Sequence, residues 1–155
     1  RNHGLIGRNM ASHFGVVSRM DTLQAKILSY RLEKLPSVIE RRRRNAKMYQ
    51  DLLDGSNVWF PLDKEVEFNT YHTFVIQIDH RDAVRDYLTA KGVETAIHYP
   101  VPIHLQPAAK SLGYKKGDFP VTENQASTIL TLPVNQFLED DDIVYVCDCV
   151  NQAVS

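Results

Sequence analysis

Residues 71–99 read YHTFVIQIDHRDAVRDYLTAKGVETAIHY, and the change of period inside this stretch decides the fold class. From Tyr71 to Ile78 the residues alternate. His72, Phe74, Ile76 and Ile78 therefore share one strand face, and His72 is expected to pack in the core beside its neighbours. Asp79 stands where a helix cap belongs. Val84, Tyr87 and Leu88 then recur at helical spacing over 81–91, and Gly92 closes that helix. Val93 to Tyr99 return to a strand. Strand, helix and strand in such close succession predict a small α+β layer.

Toward the C-terminus, 100–120 is rich in Pro and Gly and reads as a long, partly rigid loop with one helical turn near 107–112. A helix over 121–129 and a short strand at 130–132 follow, before Pro133. An amphipathic helix over 139–153 comes last, with Ile143, Cys147, Val150 and Val154 on one stripe. On the other side of the opening stretch, Val58-Trp59-Phe60 is a short strand. Residues 1–18, with Gly at 4, 7 and 15, read as extended chain. Ser18 is the expected cap of a helix over 20–34, which carries Leu23, Ile27, Leu28, Leu32 and Leu35 on one side. Pro36 is expected to interrupt it and to open a second helix that ends at Gly55. Arg41 to Arg44 point all the way round that second helix and read as a solvated run, partly paired with acids such as Glu40.

The chain has 155 residues, enough to bury roughly 68–70% of its unfolded surface around one core. With 43% hydrophobic and 24% charged residues, collagenous, low-complexity and disordered readings are excluded. Eighteen Lys+Arg against 19 Asp+Glu give a formal charge of −1, which argues against a dedicated nucleic-acid or membrane-surface binder. No apolar run approaches the ~20 residues that cross a bilayer. Cys147 and Cys149 are two apart, on roughly opposite sides of a helix. They are read as small apolar residues in a reducing compartment, and a cytoplasmic location is the expectation.

The densest polar and aromatic cluster is Ile97-His98-Tyr99-Pro100-Val101-Pro102-Ile103-His104-Leu105-Gln106-Pro107, leaving the end of a strand on a backbone stiffened by prolines. Two histidines six apart, with no Cys or carboxylate near them in sequence, make no metal site, so no metal ligands are assigned. Two readings stay open here. Either His98 and His104 satisfy groups within the loop, or at least one faces a ligand. By themselves the residues name no ligand.

Four stretches taken in order, Arg1-Asn2-His3-Gly4, GVVSRMDTLQAKIL (15–28), ERRRRNAKMY (40–49) and IHYPVPIHLQPAAKSLGYKKGDFPVTE (97–123), resemble the nucleotide-sugar aminotransferases of the DegT/DnrJ/StrS family. The likeness runs through nearly the whole chain. It implies a fold type I aminotransferase of the α/β class, of which this chain is the C-terminal portion. On that reading 1–19 end a large cofactor domain, 20–54 are linking helices, and 55–155 form a small α+β domain. It further implies pyridoxal 5'-phosphate as cofactor and transfer of an amino group from glutamate to a keto sugar on a nucleoside diphosphate. The family works as a homodimer with shared active sites.

The family's Schiff-base lysine precedes the Arg-Asn-His-Gly stretch, so it is expected upstream of Arg1, and no catalytic residue is assigned within this chain. Arg19 matches a family position near the cofactor phosphate. Val17 stands where the family carries Asn and offers no side-chain donor. His98, Tyr99 and His104 match the loop that lies near the sugar, and are the expected substrate-side residues. Alanine at either histidine is expected to impair turnover with little loss of stability. Two alternatives are a non-catalytic binding module that kept the fold, and the family's sugar-dehydratase branch.

Overall fold

The computed structural model describes residues 4–8, 10–18 and 20–155, and the chain forms two compact units, Arg1–Ser37 and Val38–Ser155. Arg1, Asn2, His3, Asn9 and Arg19 lie outside the described residues. That places the first three residues of the Arg-Asn-His-Gly stretch, and the Arg19 assignment, beyond reach of this structure.

In the first unit, β1 (Leu5–Gly7) pairs antiparallel with β2 (Met10–Ala11). Gly4 precedes them at φ +73°, and a Cβ there would sit 2.0 Å from the His13 carbonyl oxygen, so the closure between the Ser12 N–H and the Gly4 carbonyl (3.0 Å) demands glycine. Helix α1 (Thr22–Leu52) starts later than Ser18 suggests. The Asp21 N–H donates to Gln24 Oε1 at 3.2 Å, half of a capping box. Leu23, Ile27, Leu28, Leu32 and Leu35 are exposed in this chain.

The expected pair of linking helices is one helix, because Pro36 lies inside α1 rather than between two helices. An interior proline removes one backbone donor and costs about 3 kcal/mol. The helix continues through it because good helix formers precede it and the following turns are anchored on every side. The Ser37 hydroxyl also satisfies the Lys34 carbonyl at 2.8 Å.

That anchoring comes from the arginine run, which is clamped rather than solvated. Arg41 donates to the Leu138 carbonyl (2.8 Å) and Glu139 (3.1 Å), and Arg42 to the carbonyls of Tyr71 (3.3 Å) and His72 (3.0 Å). Arg43 reaches the Asn69 carbonyl and Asp63 and lies 4.5 Å over the Phe68 ring, while Arg44 pairs with Asp140. Consecutive helical residues lie about 100° apart, so each guanidinium meets a different neighbour.

In the second unit, β3 (Phe74–Gln77) and β4 (Ile129–Leu132) form an antiparallel ladder with Phe74 opposite Leu132, Val75 opposite Thr131, Ile76 opposite Leu130 and Gln77 opposite Ile129. Helix α2 (Arg81–Ala90) follows β3, and α3 (Pro120–Thr128) leads into β4. The loop between them holds two short 3-10 turns, Ile103–Leu105 and Pro107–Leu112. Helix α4 (Asp140–Val154) closes the chain; its first turn carries three aspartates, and the Glu139 N–H donates to Asp142 at 2.8 Å. Phe74, Ile76, Leu130 and Leu132 fill one face of the ladder and pack into a core with Tyr49 of α1, Leu88 of α2 and Ile143 and Val150 of α4. Tyr49 stacks on Phe74 (4.9 Å) and donates to the Pro133 carbonyl at 2.7 Å; its burial pushes the phenol pKa well up. Cys147 and Cys149 are free and buried, and burial drives the Cys147 thiol up to about 12. No described helix is long and apolar enough to cross a membrane.

Three local expectations change. The strands read at 58–60 and 93–99 shrink to single antiparallel bridges, Trp59 with Gln77 and Ala96 with Thr131, each beside a proline-bearing segment that cannot extend a ladder. His72 is exposed, because Tyr71 takes a left-handed φ of 47° that breaks the extended run before the strand begins. The position before α2 is His80 at φ 50°, with no side-chain cap, in place of Asp79.

Candidate functional site

Alternation along β3 and β4 that buries Phe74 and Ile76 sends Val75, Gln77, Ile129 and Thr131 to the opposite face. His98 lies two residues beyond the bridging Ala96 and returns to that residue's side. Its Nδ1 lies 2.9 Å from Thr131 Oγ1, a contact that ties the loop's first histidine to the sheet. Tyr99 meets the His98 ring edge-on (5.5 Å, 89°) and is 72% exposed.

Two grooves flank His98. One, of about 370 Å³, runs between Trp59 and Gln77 on the sheet, Tyr99 and Ile103 on the loop, and Thr122 and Gln125 of α3. The other, of about 400 Å³, is more polar in its residues: Arg42, His72, Thr73, Thr95 and Asn135 line it with His98. Thr95 Oγ1 and Arg42 Nε beside it are buried with no hydrogen-bond partner among the described residues. Together the grooves offer an aromatic wall, several hydroxyls and a second imidazole, that of His72, around the exposed His98.

His104 has a different environment. Its side chain is 8% exposed, its Nε2 lies 3.0 Å from Glu123 Oε1, and its ring packs 4.7 Å from Phe119. Glu123 also accepts from the Gly117 N–H (2.8 and 3.0 Å to its two oxygens) and the Phe119 N–H (3.4 Å). These bonds, the Gly117 one foremost and then that of His104, hold the Glu123 carboxyl below the usual carboxylate range. The tight turn they close puts Gly117 at φ +96°, a conformation that favours glycine.

All eight lysines are exposed, and Lys47 and Lys64 are spent on Asp51 and Glu67. No buried amine and no carboxylate poised for a pyridinium nitrogen come together here, so the described residues do not by themselves make a pyridoxal phosphate site. Among them no group of three His, Cys, Asp or Glu side chains gathers as a metal would require.

The structure thus brings His98 and Tyr99 together at an open surface and takes His104 into the loop's own packing. Sequence reasoning missed Thr131, Trp59 and Glu123, and placed His72 in the core. A signal existed for two of them: Thr131 is the polar residue in an Ile-Leu-Thr-Leu run, and Trp59 is the chain's only tryptophan.

Comparison with known proteins supplies a context for this arrangement. The family model described as the DegT/DnrJ/EryC1/StrS aminotransferase family matches residues 1–151. The chain is 34% identical over 151 residues to "Pleiotropic regulatory protein" of Geobacillus stearothermophilus, covering 96% of this chain and 41% of that protein. It is 35% identical over 155 residues to "dTDP-3-amino-3,4,6-trideoxy-alpha-D-glucose transaminase" of Streptomyces venezuelae, covering 98% of this chain and 40% of that one. Among solved structures it is similar to S. venezuelae DesV in complex with a ketimine intermediate, with a TM-score of 0.94 and 33% identity over 100% of this chain and 42% of that one. The chain spans about two fifths of the length of each of these relatives.

Proposed function

Because the chain belongs to the DegT/DnrJ/EryC1/StrS aminotransferase family, we propose that it is the C-terminal part of an enzyme that moves an amino group from glutamate to a keto sugar carried on a nucleoside diphosphate. In this proposal residues 1–19 end the cofactor domain, 20–54 link it to the small domain, and 55–155 are that domain. The complete protein is a homodimer with pyridoxal 5'-phosphate as cofactor and Arg19 among its contacts; when bound, the cofactor supplies the electron sink. The observation that carries the reading is the open face at His98, matched in a chain whose likeness to DesV runs end to end.

On this face, His98 and Tyr99 bind the sugar side of the substrate. Thr131 fixes one His98 ring nitrogen and leaves the other available, so either tautomer presents a donor or an acceptor to a hydroxyl. The Tyr99 hydroxyl adds a second polar contact. Trp59 and Ile103 give the groove apolar walls that shed water when a ligand enters. His104, assigned to the substrate side by resemblance, acts from behind the loop.

The test is turnover by the complete protein containing this chain, supplied with pyridoxal phosphate, glutamate and a dTDP- or UDP-linked keto hexose. An amino sugar and 2-oxoglutarate in equal amounts are expected. A deoxygenated sugar in their place would assign the dehydratase branch. A protein that takes up no cofactor and turns nothing over would be the binding module, a reading favoured by Val17 at the family's Asn position.

A further inference from the structure

Ile103, on a 3-10 turn, and Thr122, on α3, both line the groove at Trp59. Their sequence neighbours, His104 and Glu123, are outside the groove's lining and bonded to each other at 3.0 Å, with side chains 8% and 15% exposed. We propose that His104 and Glu123 are positioning residues: the pair joins the Ile103 turn to α3 and so fixes the place of that wall opposite Trp59, although neither member touches a ligand. The proposal deepens the functional reading above and rests on it for the ligand's identity.

Three observations support it. Glu123 accepts from His104, Gly117 and Phe119, and among the described residues the His104 contact is the one hydrogen bond that joins the Ile103 turn to α3. The ring cluster Tyr114–Phe119–His104, one contact edge-on and one tilted (5.1 and 4.7 Å), backs the same joint and leaves it little room to slide. The opposite wall is held independently, because Trp59 is bonded through its backbone to Gln77 (3.0 and 2.7 Å) and His98 through its ring to Thr131. Loosening the pair therefore moves one wall and leaves the other in place.

Trp59 is the only tryptophan of the chain and lines this groove, so its emission reports the wall directly. The experiment compares the 155-residue chain with Glu123→Gln, Glu123→Ala, His104→Gln and His104→Ala by melting temperature, Trp59 emission with acrylamide quenching, and titration with UDP-N-acetylglucosamine and dTDP-glucose. The expected result is increased quenching of Trp59 in both alanine variants well below their melting temperatures, with partial recovery in the glutamine variants. Nucleotide-sugar affinity falls about fivefold, and the double alanine variant is no worse than either single one. Lowered melting temperatures with unchanged Trp59 quenching would overturn the proposal and leave the pair as a stabilising contact only. The emission arm needs no ligand, so absence of nucleotide-sugar binding by the unaltered chain counts against the functional reading alone. If an alanine variant does not fold, its glutamine counterpart decides the emission arm by the same criterion.

Discussion

The two histidines of the 97–107 segment look alike in sequence, each following an apolar residue and preceding another large one, yet the fold treats them in opposite ways. His98 is exposed and leans on one hydroxyl of the sheet; His104 is enclosed by a carboxylate, an aromatic ring and a glycine turn. The difference teaches that one loop can divide its labour, with its beginning left open to solvent and its middle holding the loop in shape.

The sharpest way to break this comparison is His104→Ala. Enclosure predicts a loss of about 2–3 kcal/mol, from the space left behind and a Glu123 carboxylate deprived of a donor, measured by urea unfolding. At His104 this revises the sequence-based expectation that alanine at either histidine costs little stability. A smaller effect is expected from Thr131→Val, which keeps shape and removes one hydroxyl: about 1 kcal/mol, with His98 losing its tether and nucleotide-sugar binding weakening in a calorimetric titration.

Acid gives a smaller and directional test. Glu123's folded pKa lies below its unfolded value, so its stabilisation is complete above the ordinary carboxylate range and is lost as pH falls through the lower, folded value. Asp63 and Asp54 are also lowered, by the Tyr71 hydroxyl and the Ser56 N–H respectively, so the whole chain weakens in acid. The Glu123→Gln variant should weaken less steeply, and equal pH slopes in the two unfolding series would remove Glu123 from the loop's support. Least of all should be the stability change in His98→Ala, within about 0.5 kcal/mol, while nucleotide-sugar binding falls about tenfold. If that variant binds normally, the open histidine is no contact and the comparison fails at its functional end.

Much of the second unit was legible before any coordinates. Alternation at Phe74, Ile76 and Ile78 placed a buried strand face, helical spacing at Val84 and Leu88 placed α2, and the Ile143, Cys147 and Val150 stripe placed the face of α4 that the core covers. Where reading failed, the deciding interaction was distant in sequence. Pro36 reads as a break, yet the helix runs through it because Arg41 to Arg44 clamp the following turns to residues 26 to 98 positions away. His72 reads as core because alternation carries two residues ahead of the strand's start at Phe74, up to a left-handed Tyr71 that local pattern does not reveal.

By itself, then, the sequence determined what is periodic or contiguous: the α+β layer, its buried stripes, and a loop stiffened by prolines and loaded with polar rings. Hydrophobic burial is proportional to area and indifferent to partner, so spacing alone encodes it. Tertiary structure alone decided which polar group meets which: Glu123 reaching His104 across nineteen positions, Thr131 reaching His98 across thirty-three. Hydrogen bonds act only at about 3 Å and only in the right direction, and that distance is set by how the chain returns on itself.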